Sequence, residues 1–253
     1  MPAASLTTEQ INYRRSVRSW LASNPAPKAS VTLPRSPREV MTAPQIEYFR
    51  AWQRRCYEAG LVGADIPTVY GGYGHHGCQA IANRELSRVG APFLFNTVGL
   101  STMIPAVLEH GSEDQKRRFI PGALSGKEIW CQSFSEGGAG CDMANQQTFA
   151  KRCGDEWVVN GHTVWASFGH FAQWMLLLAR TGRDQKRNGL TFFLCPIAGH
   201  PGVTVKPLVE MTGQTGVSEV SFEDVVISDS LRLGAVGKGS RRGRATPGIQ
   251  NQG

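Results

Sequence analysis

Apolar residues recur at helical spacing through the first half of the chain and at alternating or unbroken spacing through the second. Ile11, Val17, Trp20 and Leu21 form one stripe behind Thr7-x-x-Gln10, a pair able to close a capping box, which predicts a first helix. Residues 24–44 hold five prolines and read as a linker or extended loop. A second helix is expected over 45–59, with Ile46, Phe49 and Cys56 on one stripe and Gly60 where a C-cap glycine belongs. A third covers 78–89, carries Ile81, Leu86 and Val89, and stops at Gly90. Residues 98–110 are mostly apolar and predict a buried helix, and Ser112-x-x-Gln115 opens another that Pro121 should end.

From Ile129 the pattern changes to strands. Glu156-Trp157-Val158-Val159 and His162-Thr163-Val164-Trp165 flank Asn160-Gly161, a strong two-residue hairpin signal. Residues 174–179, 190–195, 203–208 and 217–222 are apolar or alternating and are separated by Gly, Pro, Asp or Asn. The fold class is therefore α+β: an all-α N-terminal domain over residues 1–126, then a small antiparallel β-barrel or sandwich domain over 127–236. Residues 237–253 lack periodicity and read as a disordered basic tail.

Composition narrows the function classes. The 253 residues are 41% hydrophobic and 19% charged, with no run of about eighteen apolar residues that a membrane span needs. The first twelve residues lack a basic segment followed by an apolar core, so no secretory signal is read and a cytoplasmic protein is expected. Cys56, Cys78, Cys131, Cys141, Cys153 and Cys195 are scattered without a C-x-x-C pair, which suits free thiols in a reducing compartment. The net charge of +7 includes Lys238, Arg241, Arg242 and Arg244 near the C-terminus, and no basic stripe interleaved with aromatics accompanies it. Nucleic acid is not an expected partner, whereas a mild attraction for an anionic substrate remains.

Two glycine-rich segments compete as ligand loops. Gly72-Tyr73-Gly74-His75-His76-Gly77 has the form G-x-G-x-x-G, but no apolar strand precedes it, so a turn is the better reading. His75, His76 and Cys78 crowd one loop without a fourth partner and make a poor metal site; no metal is expected. No G-x-S-x-G elbow and no P-loop occurs. The second segment, Ser135-Glu136-Gly137-Gly138-Ala139-Gly140-Cys141-Asp142, follows an apolar strand and combines a hydroxyl, carboxylates and glycines whose freed N–H groups can meet a polar ligand edge.

That turn, followed by Gly154-Asp155-Glu156-Trp157-Val158-Val159-Asn160-Gly161-His162-Thr163-Val164-Trp165-Ala166-Ser167, resembles the middle-domain signature of the acyl-CoA dehydrogenases. The family pattern is Thr/Ser-Glu-Pro-x-Ala-Gly-Ser-Asp and then Asn-Gly-x-Lys-x-Trp-x-Thr/Ser. Further likeness lies in residues 172–181, in Gly202-Val203-Thr204-Val205, in Glu219-Val220-Ser221-Phe222-Glu223-Asp224-Val225, in the loop 61–74 and in residues 111–126, so it covers roughly 45–239.

The resemblance implies FAD as cofactor and an acyl-CoA thioester as substrate, with α-proton removal, hydride passage to the flavin and electron delivery to an electron-transfer flavoprotein. It places flavin contacts on Phe134, Ser135, Trp165 and Ser167, and the passing thioester and pantetheine near Cys141. Hydroxyl and N–H donors suit the charge that a flavin gains on reduction, and an indole suits its flat face. For Trp165 alone, a core aromatic of the strand is the competing reading. Departures from the family pattern are Gly137 for Pro, Cys141 for Ser, Thr163 for Lys and Ala166 for Thr. Residues 240–253 depart most, reading as a truncation or frame change ahead of the family's C-terminal helical domain and its glutamate base. No catalytic residue is therefore assigned, and the isolated chain is expected to be incompetent unless homologous full-length subunits complete it. Rival readings are a non-catalytic acyl-CoA or partner-binding subunit, an inert gene fragment, and an acyl-CoA oxidase or flavin monooxygenase on the same fold.

Overall fold

In a computed structural model, residues 6–36, 39, 42–138, 142–182, 189–211 and 213–239 are described; of the tail read above over 237–253, residues 240–253 lie outside them. Five α-helices come first: α1 (Thr8–Ser23), α2 (Ala43–Glu58), α3 (Gln79–Arg88), α4 (Ile104–His110) and α5 (Glu113–Leu124). Thr7 with Gln10 and Ser112 with Gln115 form the two capping boxes read from the sequence, and Thr42 with Gln45 forms a third that starts α2 two residues earlier than expected. The apolar stretch before His110 is a π-helical turn over Gly99–Met103 that runs into α4.

Pro121 does not end α5, which continues to Leu124. The missing proline N–H forfeits one intrahelical bond, but Phe119, Ile120, Ala123 and Leu124 are all buried by the continuation. Two buried amides also hold the helix end. Gln53 Nε2 donates to the carbonyls of Ala123 and Leu124, each at 3.0 Å, and Asn96 Nδ2 donates to Ala123 at 2.9 Å. Tertiary burial and satisfied carbonyls outweigh the local signal.

Asn96 then sets the first strand, because its Oδ1 accepts the Trp130 N–H at 3.0 Å while Gln173 Oε1 accepts the Ile129 N–H at 2.8 Å. The strands are β1 (Trp130–Ser133), β2 (Phe149–Cys153), β3 (Glu156–Ser167), β4 (Trp174–Arg180), β5 (Leu190–Pro196), β6 (Val203–Leu208), β7 (Val217–Ser228) and β8 (Arg232–Leu233). They form one eight-stranded sheet in the order β6-β7-β3-β2-β4-β5-β8, with β1 attached to β4. Pairing is antiparallel except for β1 with β4 and the single contact of β2 with β4. The expected barrel is thus a mostly antiparallel sheet that does not close, with β6 and the two-residue β8 as its edges.

The Asn160-Gly161 hairpin is overturned. Both residues lie inside β3, and the chain reverses instead at Gly154-Asp155, between β2 and β3. The glycine serves close packing: a Cβ on Gly161 would lie 2.5 Å from Thr148 Oγ1 and 2.6 Å from Thr148 Cα. The ladder to β7 slips at this point, and Asn160 pins the slip by exchanging hydrogen bonds of 3.0 and 2.9 Å with Asp224.

Burial alternates along the central strands. Leu176 and Leu178 of β4 and Leu190, Phe192 and Leu194 of β5 pack with the helices, together with Trp130. Met175, Leu177 and Ala179 of β4, with Phe193 and Cys195 of β5, enter a second core with Trp157, Phe168, Val220 and Phe222. Covering both faces explains why these strands read as unbroken apolar runs. Trp130 is fully buried, stacked on Trp174 at 5.7 Å and edge-on to Phe119 at 5.6 Å. An indole of this kind brings about 5 kcal/mol of transfer free energy before ordering costs. That anchor fixes the start of the strand leading to the ligand turn.

Candidate functional site

The end of β1 and the end of β3 meet through one isolated bridge between Ser135 and Val164, whose N–H donates to the Ser135 carbonyl at 2.9 Å. The bridge is antiparallel, so the residues before Ser135 run alongside those after Val164. Phe134 and Ser135 are thereby brought to Trp165 and Ser167. Phe134 is half-buried and meets Phe192 edge-on at 5.6 Å. Cys141, the remaining sequence candidate, lies outside the described residues.

Trp165 is not a core aromatic. The β3–β7 ladder slips between Thr163 and Ala166, and within that bulge Trp165 adopts φ +65° and stays 58% exposed. A bulky residue on left-handed backbone is strained by about 1–3 kcal/mol and persists only where its surroundings impose it. The imposition is visible on both sides. Ala166 is fully buried in the inner core, and Phe168, itself at φ +61°, donates its N–H to Gly216 at 3.0 Å. The alanine that replaces the family threonine suits this buried position.

Glu136 anchors the turn from beneath. Its carboxylate is 5% exposed and accepts the Gln147 N–H at 2.6 Å and the Thr148 N–H at 2.7 Å. Gly137 is exposed, and a Cβ there would meet nothing within 4 Å, so the family proline is absent without any steric demand for glycine. Among the described residues, five buried side-chain atoms lack a hydrogen-bond partner, all on β1, on β3 or just ahead of β2: Trp130 Nε1, Gln132 Oε1, Gln146 Oε1, Thr148 Oγ1 and Thr163 Oγ1. Thr163, which stands where the family has lysine, is fully buried.

His170 sits just past the bulge with its Nδ1 3.1 Å from Ser218 Oγ and its ring against Phe171; burial lowers its pKa, favouring the neutral ring. Sequence reasoning missed Gln132 and His170, because neither stands out by residue type in an apolar segment.

The competing loop is closed to phosphate. The N–H groups of Gly72, Tyr73, Gly74 and His75 donate to the carbonyls of Pro67, Gly63, Ile66 and Ala64. Beyond it, Asp65 Oδ1 already accepts the Cys78 and Gln79 N–H groups at the start of α3. His75 stands 3.4 Å from Glu9 and beside the Tyr13 ring. Among the described residues no group of three or more His, Cys, Asp or Glu is placed to hold a metal, and no helix is long and apolar enough to cross a membrane. The five described cysteines, 56, 78, 131, 153 and 195, are free.

The family described as acyl-CoA dehydrogenase, N-terminal domain, matches residues 7–127, and the acyl-CoA dehydrogenase middle domain matches 131–225. The acyl-CoA dehydrogenase IpdE1 of Mycobacterium tuberculosis is 38% identical over 237 residues, which cover 92% of this chain and 61% of that protein. The ChsE4-ChsE5 complex from Mycobacterium tuberculosis superposes with a TM-score of 0.73 at 28% identity, over 95% of this chain and 59% of its counterpart. A probable acyl-CoA dehydrogenase from Mycobacterium abscessus gives 0.74 at 26% identity, over 96% of this chain and 62% of that one. The chain thus spans about three-fifths of the length of the relatives it matches. With two domain families matched in order and the signature turn joined to the Trp165 bulge, the chain belongs to the acyl-CoA dehydrogenase family.

Proposed function

We propose that this chain is the flavin-binding part of an acyl-CoA dehydrogenase and that Phe134, Ser135, Trp165 and Ser167 hold FAD. Members of the family are FAD-dependent flavoproteins. The observation that carries the reading is Trp165, an indole held outward on strained backbone beside the Ser135 bridge. Such an arrangement leaves the indole largely unburied among the described residues and suits a flat ligand. The unpartnered Gln132 Oε1 nearby also fits a group with a polar edge.

FAD, when bound, supplies the hydride acceptor for dehydrogenation between Cα and Cβ of an acyl-CoA thioester. Trp165 covers the flavin ring and excludes water. Ser135 and Ser167 present hydroxyls to its polar edge, where donors stabilise the charge gained on reduction. Phe134, braced by Phe192, walls the site. Glu136 is committed to the Gln147 and Thr148 N–H groups, so it holds the turn and does not remove a substrate proton. Proton abstraction falls to a carboxylate elsewhere, which favours a chain incompetent by itself and completed by homologous subunits. An electron-transfer flavoprotein would be the electron acceptor of such an enzyme. The free thiols among the described residues support a reducing, cytoplasmic setting.

Titration of the purified chain with FAD tests the reading. Flavin fluorescence should be quenched, and Trp165→Ala should weaken binding by up to about tenfold. Binding of NAD with no response to FAD refutes it.

A further inference from the structure

We propose that a small monovalent cation, sodium in size, binds inside this chain between the Glu136 carboxylate and the hydroxyl oxygens of Thr148 and Thr163, with the Gln146 carboxamide oxygen beside them. The site is independent of the flavin reading above and arises where this sequence departs from the family pattern.

Glu136 is a buried carboxylate without a counter-charge. Its partners are the Gln147 and Thr148 N–H groups at 2.6 and 2.7 Å, and among the described residues no ion pair includes it. Buried carboxylates are ordinarily paired with a cation, because amide dipoles offset only part of the desolvation. Arg180 of β4 comes near but directs its Nε to the Gln146 carbonyl at 2.9 Å. The family pattern has lysine where this chain has Thr163. Because the antiparallel bridge joins Ser135 to Val164, Glu136 comes opposite Thr163. A lysine there would bring its ammonium to the carboxylate. Thr163 brings an oxygen and no charge.

Three unpartnered oxygens gather around this carboxylate. Thr163 follows Trp157, Val159 and Gly161 on the inner face of β3 and is fully buried, with Oγ1 unpartnered. Phe149 pairs with Asn160, which brings Thr148 against Gly161. A Cβ on that glycine would lie 2.5 Å from Thr148 Oγ1, so the hydroxyl faces the strand that carries Thr163. Thr148 Oγ1 is also buried and unpartnered, although the N–H of the same residue holds Glu136. Gln146 commits its Nε2 to the Leu178 carbonyl and leaves Oε1 unpartnered. Orphaned oxygens this deeply buried call for a water or an ion, and the uncompensated carboxylate decides for the ion. Oxygen donors suit hard cations, and a single carboxylate suits one positive charge; calcium collects about six to eight oxygens, several of them from carboxylates. The bound cation ties the signature turn to the segment ahead of β2 and to β3, two residues before the Trp165 bulge.

The experiment melts the flavin-free full chain in sodium chloride and in choline chloride at equal ionic strength, and repeats the pair for Thr163→Lys and Thr163→Val. At a sodium concentration about ten times the dissociation constant, the wild type should melt about 3–5 °C higher than in choline. Thr163→Lys, which supplies a tethered ammonium, should melt at the same temperature in both salts. Thr163→Val nearly keeps the shape and removes one ligand, so it should need roughly tenfold more sodium for the same rise; it carries the comparison alone if the lysine variant does not fold. Equal melting of the wild type in the two salts overturns the proposal and leaves the oxygens to water. A rise retained at the wild-type sodium concentration in either folded variant also overturns it, since the ion then acts elsewhere.

Discussion

Trp165 and Phe168, three residues apart, both adopt left-handed backbone, yet the first is 58% exposed and the second 2%. The same strain is therefore balanced in two ways. Phe168 is compensated inside the chain, where its ring meets Phe95 at 4.8 Å, while among the described residues no ring contact repays Trp165. Trp165→Gly should relieve about 1–2 kcal/mol of strain and leave thermal stability unchanged or improved, with FAD binding weakened. Phe168→Ala should cost about 3–5 kcal/mol. Melting curves of both variants check the contrast, and a large loss of stability in Trp165→Gly would show that the indole is structural after all.

Glu136→Gln should destabilise the chain by about 1–3 kcal/mol, since each carboxylate oxygen accepts one N–H and the amide can replace only one of them, leaving the other N–H facing an –NH2 that cannot accept. Urea unfolding measures that loss. In anaerobic mixing with short, medium and long acyl-CoAs, neither the FAD-loaded wild type nor the variant should bleach the flavin at enzymatic rates, since Glu136 is held by two backbone N–H groups and catalysis without a general base is slower by about 10² to 10⁴. Bleaching by the wild type that Glu136→Gln abolishes would make Glu136 the base and reverse the role given to it.

Glu85 should govern stability in acid. Its side chain is 2% exposed and joins two helices, accepting from Arg18 of α1 at 2.8 Å and from Arg88 of α3 at 2.6 Å. Hydrogen bonding to Arg18 is the leading cause that pulls its pKa from 4.5 down to about 2. A depressed carboxylate stabilises the fold fully above its unfolded pKa, and that share is lost as pH falls through the folded value. Stability measured from pH 6 to pH 2 should therefore decline below about pH 4.5, and Glu85→Gln should flatten the decline. Both arginines are half exposed, so the effect belongs at the low end of charged hydrogen bonds, about 1 kcal/mol. An unchanged acid slope in the variant would remove Glu85 from this role.

Much of the helical half was legible because capping boxes are local: Thr7 with Gln10 and Ser112 with Gln115 start helices wherever the rest of the chain goes. Features decided by distant contacts were not. Pro121 marks a stop that burial of Ala123 and Leu124 overrides, and Asn160-Gly161 marks a turn that the approach of Thr148 converts into strand. The openness of the sheet depends on whether its edges pair, which alternation alone does not encode. At the site, the signature motif pointed to Phe134, Ser135, Trp165 and Ser167, and the fold brings their two segments together. What the motif lacked was conformation. Neither the left-handed backbone of Trp165 nor the missing partner of Gln132 leaves a trace in residue type.

Gln115 of α5 donates to the carbonyls of Ser230 and Arg232, at 2.7 and 3.0 Å, and the core behind it joins Phe119 and Leu124 to Leu190, Phe192 and Leu233. Residues more than a hundred positions apart thus close one another's surface. During synthesis the helices emerge first, with an apolar flank that only the last strands can cover. Until the ribosome has delivered Leu233, the nascent helical layer is a sticky intermediate whose safe passage depends on chaperones or on speed.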